Sequence, residues 1–300
     1  MSSPSNDVNA SEDFFELVTS SHILAAAMEI FGMESLSDSP DPSLFPPGIS
    51  DKSVRSVVLQ SGVKAIMSQF VDLNYPAKKQ NKVDHIQEYA KEVLTLGLFH
   101  LEFHDAVREG DGNRVLRGWK FLLLFFKATW HPNYAIEAIT LLAQYYYLLP
   151  PRLAQQLLWT RFVNTQGQRG HNISADLHME HLNRMCNDVL ANLGANKTPR
   201  AIVRAGKAAG NLIDIMTQYD ATNTIDHGSG MHTRQSEEKD VASIVKELHK
   251  QRVFGHTTGP KHLSFPTFCS NTFRKIDTAK LNTWMKESLR VLVCSSNFNQ

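Results

Sequence analysis

Three hundred residues with 42% hydrophobic and 20% charged side chains form a globular composition, which excludes a disordered or collagen-like chain. The net charge is +1 but uneven. Residues 197–300 carry 15 Lys/Arg against 9 Asp/Glu, while residues 1–196 carry 16 against 21, so an anionic partner is directed to the C-terminal third.

Cys186, Cys269 and Cys294 form no CxxC pair, which argues against a disulfide or zinc framework and for a reducing compartment. The N-terminus lacks the basic start and apolar stretch of a signal peptide. No unbroken apolar run reaches the roughly 18 residues of a membrane span. A soluble, intracellular protein, nuclear or cytoplasmic, is the expectation.

In chain order, residues 1–11 are polar and read as a disordered tail. Apolar residues at helical spacing predict a helix over 12–32. Four prolines between residues 40 and 47 break any helix there, giving a linker over 35–50 within an N-terminal region of 12–70. A second helix is predicted over 51–70, with Ser50 as its N-cap. A long helix over 83–108 ends where Gly110 suits a C-cap. The next, 114–130, is apolar on nearly all sides through Phe121–Phe126 and is expected to be buried and central.

Pro132 opens a further helix to Leu148, since proline is favoured at a first helical position. Helices over 152–163 and 176–193 follow. Thr198 and Pro199, a cap and a first-turn proline, open another over 200–219. The main helical core is thus 83–220, followed by a flexible loop over 221–235 and a C-terminal helical extension over 236–294. Its helices run from Ser236 to Gln251 and from Thr278 to Val291. Short extended pieces are expected only near 253–254 and 263–268. The fold class is all-α: an irregular assembly of about eight to ten helices with little or no sheet.

Three polar clusters stand out. In the run from His171 to Arg184, a turn of about 100° per residue places Asp176, Glu180 and Arg184 on one helix face. His178 and His181 fall on a shoulder beside the apolar stripe of Met179, Leu182, Cys186, Val189 and Leu193. An i,i+3 His pair with nearby carboxylates holds a metal if a third ligand arrives from elsewhere. Otherwise the pair is half-buried and Glu180 pairs with Arg184. Glu137 sits on an otherwise apolar helix and is expected to be partly buried, hence paired or functional. Arg200, Arg204 and Lys207 form a basic stripe at i, i+4, i+7, opposite Ile202, Val203 and Leu212, suited to phosphates. It lacks the aromatics of a base-stacking surface. No GxGxxG, Walker, GxSxG or Cys–His signature is present.

Several stretches resemble one family: EYAKEVLTLGLFHLEFHDAVREGDGNRVLRGWKFLLLFFKAT, HPNYAIEAITLLAQYYYLLPPRLAQQLLWTRFVNTQGQRGHNISADLHMEHLNR, LGANKT and HTTGPKHLSFPTF. They are similar to the domain of unknown function 6589, over roughly residues 14–290. The resemblance implies a transposon-derived chain. Fuller members carry an upstream Gly-Asp-Gln-Leu-Thr segment similar to the acidic strand of RNase H-like transposases, and this sequence lacks it. Glu137, Asp176 or Glu180 would then correspond to a late acid of an incomplete two-metal site, as in a fragment or a domesticated or decayed copy.

The leading expectation is therefore a non-catalytic binding or remnant domain without cofactor. Its partner would be nucleic acid, or a protein docking where an N-terminal region is absent. The alternative is a divalent-metal nuclease-like or transposase-like subunit whose acids are completed by a missing N-terminal part or another chain.

Overall fold

A computed structural model describes residues 8–43, 51–72, 84–165, 167–195, 197–208, 237–257, 262–268 and 271–296. The helices are α1 Val8–Phe31, α2 Lys52–Ile66, α3 His85–Glu109, α4 Gly112–Ala128, α5 Pro132–Ala143, α6 Pro151–Trp159 and α7 Ala175–Asn192. They continue with α8 (199–208), α9 Glu237–Lys250 and α10 Thr278–Ser296. Sheet is confined, among the described residues, to a two-strand antiparallel ribbon, β1 Phe162–Val163 and β2 Ile173–Ser174, with Phe162 opposite Ser174. The all-α class holds. The extended pieces expected near 253–254 and 263–268 are turns and bends instead.

Local chemistry fixes most boundaries. Pro132 opens α5 as predicted. Asp51, rather than Ser50, caps α2, its carboxylate accepting from the Ser53 amide at 2.9 Å. Helix α1 begins at Val8, inside the stretch expected to be a disordered tail. Helices α2 and α5 each finish in one widened turn, Met67–Val71 and Gln144–Leu148. The amides of Asp72 and Leu149 close these turns onto the carbonyls of Met67 and Gln144. The Ser236 cap and the helix beyond residue 208 lie outside the described residues.

The chain divides into two compact units. The first comprises Met1–Asp105, Asn113–Ala154 and Gln235–Gln300, and the second Ala106–Gly112 and Gln155–Arg234. In the first unit one cluster gathers Ala25 and Ala26 of α1, Ile66 and Phe70, Ala90 and Leu94 of α3, and Val253 and Phe254 after α9. A second gathers Leu123, Ala135, Ala138 and Ile139, with Trp284, Met285 and Leu289 of α10 packed on it. Of Phe121–Phe126 only Leu123 is fully buried. Helix α4 meets α3 through Phe99–Phe121 (4.4 Å between centroids), the 272–275 turn through Phe121–Phe273 (4.8 Å) and α5 through Phe126–Tyr134 (5.2 Å), and half-exposed edges remain between these contacts.

Helix α1 is apolar enough, by length and composition over Ser11–Phe31 (mean hydropathy 1.3), to cross a membrane, contrary to the expectation from unbroken runs. In the first unit it is a packed helix with polar groups facing inward. Thr19 and Ser21 are fully buried. Their hydroxyls donate to the carbonyls four residues back, Phe15 and Leu17, each at 2.8 Å. Such back-bonding satisfies a buried hydroxyl without a partner helix. Gly97 of α3 lies against Thr19 with no room for a Cβ. His22 Nδ1 meets the Val18 carbonyl at 2.8 Å, and its ring faces the Phe254 ring edge-on.

Burial pushes the His22 imidazole below the usual histidine range, outweighing the Val18 bond. Its neutral form therefore stabilises the fold above the unfolded pKa of about 6.5. That contribution is lost as pH falls from there through the lowered folded value. Chemical-denaturation free energies between pH 7.5 and 5 should fall more steeply for the wild type than for His22→Leu. Parallel profiles would contradict this.

Four helix ends share one geometry. The amides of Met33, Asp111, His131 and Val253 each reach back five residues, to the carbonyls of Met28, Ala106, Phe126 and Leu248. Each places the residue before that amide at positive φ: Gly32, Gly110, Trp130 (60°) and Arg252 (47°). Glycine takes this conformation freely, whereas an L side chain costs roughly 1–2 kcal/mol. The Trp130 side chain is 90% exposed and recovers little by burial. Trp130→Gly should therefore raise the unfolding free energy by about 1 kcal/mol, measured by denaturant titration; a loss of stability would contradict it.

Candidate functional site

The basic stripe forms in the second unit. Thr198 opens α8, its hydroxyl accepting from the Ala201 amide at 3.3 Å and its carbonyl from the Ile202 amide at 3.0 Å. Arg200, Arg204 and Lys207 are all exposed and, with Pro199 and Val203, line one shallow open groove along the helix. Among the described residues no carboxylate is ion-paired with any of the three. Val203, expected on the opposite face, instead shares this groove, since it lies only about 40° from Lys207 on the helix; Val203 and Ile202 are both exposed, and Leu212 lies outside the described residues. The face is strongly cationic and solvated, which suits it to a polyanion.

Upstream of α8, a hairpin is locked to the C-terminal end of α3 within the same unit. Asn164 closes its own loop, donating through Nδ2 to the Gln168 carbonyl and accepting from the Gly167 amide, both at 2.7 Å. Asn172 gives its side-chain amide (2.8 Å) and backbone amide (3.2 Å) to the Arg108 carbonyl. Arg169 pairs with Glu109 at 3.1 Å. A free helix-terminal carbonyl is thereby satisfied by a loop some sixty residues away in sequence. Arg161 Nε, just before β1, is buried without a hydrogen-bond partner among the described residues.

Helix α7 follows this hairpin. Asp176 and Glu180 are exposed, His178 is half-buried and His181 is exposed. The expected Glu180–Arg184 ion pair is not formed among the described residues. The predicted apolar stripe is only loosely covered: Met179 is 54% exposed, and Cys186 is exposed too. Among the described residues no three His, Cys, Asp or Glu side chains gather as a metal-binding group. The His178/His181 pair therefore has no third ligand among the described residues.

Glu137 stands on α5 in the first unit and is exposed, not partly buried. Ala135, Ala138, Ile139, Leu141 and Ala143 turn inward, and at about 100° per residue Glu137 points nearly opposite Ala135 and Ile139, with Leu141 at the edge of its face. The apolar look of the helix misleads because Tyr134 and Ile136 also face solvent. No ion pair of Glu137 occurs among the described residues.

The most heavily built polar cluster lies at the other end of α3 and was not singled out from the sequence. Buried Asp84 caps the helix, accepting from the Ile86 and Gln87 amides at 3.0 Å, and its second oxygen takes the Thr257 amide at 2.9 Å. One turn on, buried Glu88 lies between Lys91 (3.5 Å) and Arg274 (3.3 Å). A further turn on, Glu92 accepts the Thr272 amide at 3.2 Å. Burial pushes the Lys91 ammonium below the usual lysine range, against the pull of Glu88.

Beside this row Tyr89 is held among His262, Phe265 and Phe268 at 4.7–5.4 Å between centroids. Burial, with Glu92 next to it, pushes its phenol up. His85 meets the Phe268 carbonyl at 2.9 Å. Every carboxylate here already holds a donor, so the cluster is built as a fastening between α3 and the 254–275 stretch. Its sequence signal is the acidic spacing Asp84, Glu88, Glu92 at i, i+4, i+8.

Comparison with curated proteins and with solved structures gives no match. A family profile matches residues 2–232. It begins ahead of the expected start at residue 14 and ends before HTTGPKHLSFPTF, so that last stretch falls outside the match. Most of the chain is covered, including both the α7 hairpin block and the basic face of α8, and the protein belongs to the family of unknown function DUF6589.

Proposed function

We propose that this chain is a non-catalytic helical binding module that engages nucleic acid, read as a polyanion, through the α8 face of its second unit. The observation carrying this reading is the exposure of Arg200, Arg204 and Lys207 along one groove with no carboxylate paired to them among the described residues. Three such cations release phosphate counterions on binding. Among the described residues the groove has no aromatic lining, so the interaction is with the backbone and is insensitive to base sequence. Transposon ancestry, as implied by the family resemblance, fits a chain that keeps a DNA-facing surface without chemistry.

The metal-dependent nuclease reading has less support. It needs acids gathered around an ion, whereas Glu137 projects from α5 into solvent and no three-ligand group occurs among the described residues.

Electrophoretic mobility shift at low salt should show the wild type retarding duplexes of unrelated sequence equally. The Arg200→Ala/Arg204→Ala/Lys207→Ala variant should lose most of that affinity. Its dependence of log K on log salt should be shallower by roughly 2–3. Absence of a wild-type shift at low salt, or an unchanged slope in the variant, would overturn the reading.

A further inference from the structure

Helix α2 is buried along one edge only. Gly62, Ile66 and Phe70 turn inward. Gly62 lies against the Phe31 ring with no room for a Cβ, and Phe70 packs on Phe254 at 4.9 Å between centroids. About 100° further round the helix, Leu59, Val63 and Met67 form a second ridge at the same four-residue spacing, 56, 57 and 44% exposed. It runs about 12 Å, at 1.5 Å per residue, which is two turns of a facing helix.

The border of this ridge is basic. Lys52, Arg55 and Lys64 flank it, and no Asp or Glu occurs between residues 52 and 66. Among the described residues neither Lys52 nor Lys64 is ion-paired. A continuous exposed apolar ridge rimmed by charge of one sign marks an interaction surface rather than ordinary scatter.

We infer that this face docks an acidic amphipathic helix of a partner protein, with apolar side chains on Leu59, Val63 and Met67 and carboxylates against Lys52 and Lys64. Helix-in-groove recognition uses anchors at this spacing, and opposite charge sets the partner. A second copy of α2 fits poorly, because an antiparallel pair that sets Leu59 opposite Met67 crosses at Val63 and brings the two Lys64 side chains together, and a parallel pair sets each cation beside its twin. An anionic membrane also fits poorly, since interfacial helices combine many cations with aromatic anchors and this face has three cations and no aromatic residue. The inference is independent of the α8 face.

The test is fluorescence anisotropy of the full chain with a labelled helical peptide carrying a leucine stripe flanked by glutamates, and with a twin in which every glutamate is lysine. The glutamate peptide should bind at least tenfold more tightly than its twin. Leu59→Ser/Val63→Ser should weaken it at least tenfold while leaving the thermal unfolding midpoint unchanged, because both side chains are exposed. Lys52→Glu/Lys64→Glu should reverse the preference between the peptides. Equal binding of the two peptides, no binding of the glutamate peptide, or an unchanged preference in the charge-reversed variant would overturn the inference. So would a concentration-dependent dimer abolished by Leu59→Ser/Val63→Ser. Binding to phosphatidylserine vesicles that this variant loses, and with which the glutamate peptide does not compete, would assign the face to a membrane and overturn it as well.

Discussion

The first unit depends on how the N-terminal end of α3 disposes of its charge. A helix start leaves amides without partners and carries partial positive charge. Asp84 answers both, and its remaining oxygen reaches the Thr257 amide. Glu88 and Glu92 continue the acidic row and receive Arg274 and the Thr272 amide. Three carboxylates on consecutive turns thus hold a segment about 180 residues later in the chain. Buried charges are expensive unless paired and hydrogen-bonded, and here the acids are matched with Lys91, Arg274 and backbone amides. That saturation makes the cluster a fastening rather than a reactive centre. It also seats Phe254 in the cluster with Phe70 and Ala26 and brings Phe273 against Phe121.

Much of the helical layout is legible from local signals. Pro132 starts α5, Gly110 ends α3 with positive φ, and Thr198 with Pro199 opens α8. Each of these is decided by one residue's own conformational restriction or side-chain oxygen. The fastening at Asp84 is harder to read, because Arg274 and the Thr257 and Thr272 amides come from far along the chain, and periodicity carries no information about pairing over that distance. Glu137 shows the converse error. Its neighbours are apolar, yet only the face of α5 carrying Ala135, Ala138, Ile139 and Leu141 is covered, and Tyr134 and Ile136 lie outside. Likewise α7 has the spacing of a core helix, but its Met179 and Cys186 face solvent. Hydrophobic pattern reports which face prefers burial, not whether a neighbour is present to cover it.

The second unit has a different character. Its described residues are held by polar locking, with Asn164 bracing its own loop and Asn172 capping α3. Helices α7 and α8 present exposed charges, and among the described residues the cations of α8 have no carboxylate paired with them. A lightly packed element with unneutralised charge suits a surface that gains order and energy from a partner. Helix α2 in the first unit follows the same logic with apolar side chains: one ridge is satisfied by Phe31 and the interior, and the next is left exposed. Among the described residues neither place gathers a group of metal-ligating side chains, and both proposals are of binding surfaces.

The central structural claim is that the charged row on α3 fastens the C-terminal stretch. A double-mutant cycle between Glu88→Gln and Arg274→Met, followed by denaturant unfolding, tests it most directly. A coupling free energy of about 1 kcal/mol or more is expected for groups sharing one network. Additive losses, with coupling below roughly 0.3 kcal/mol, would contradict the fastening.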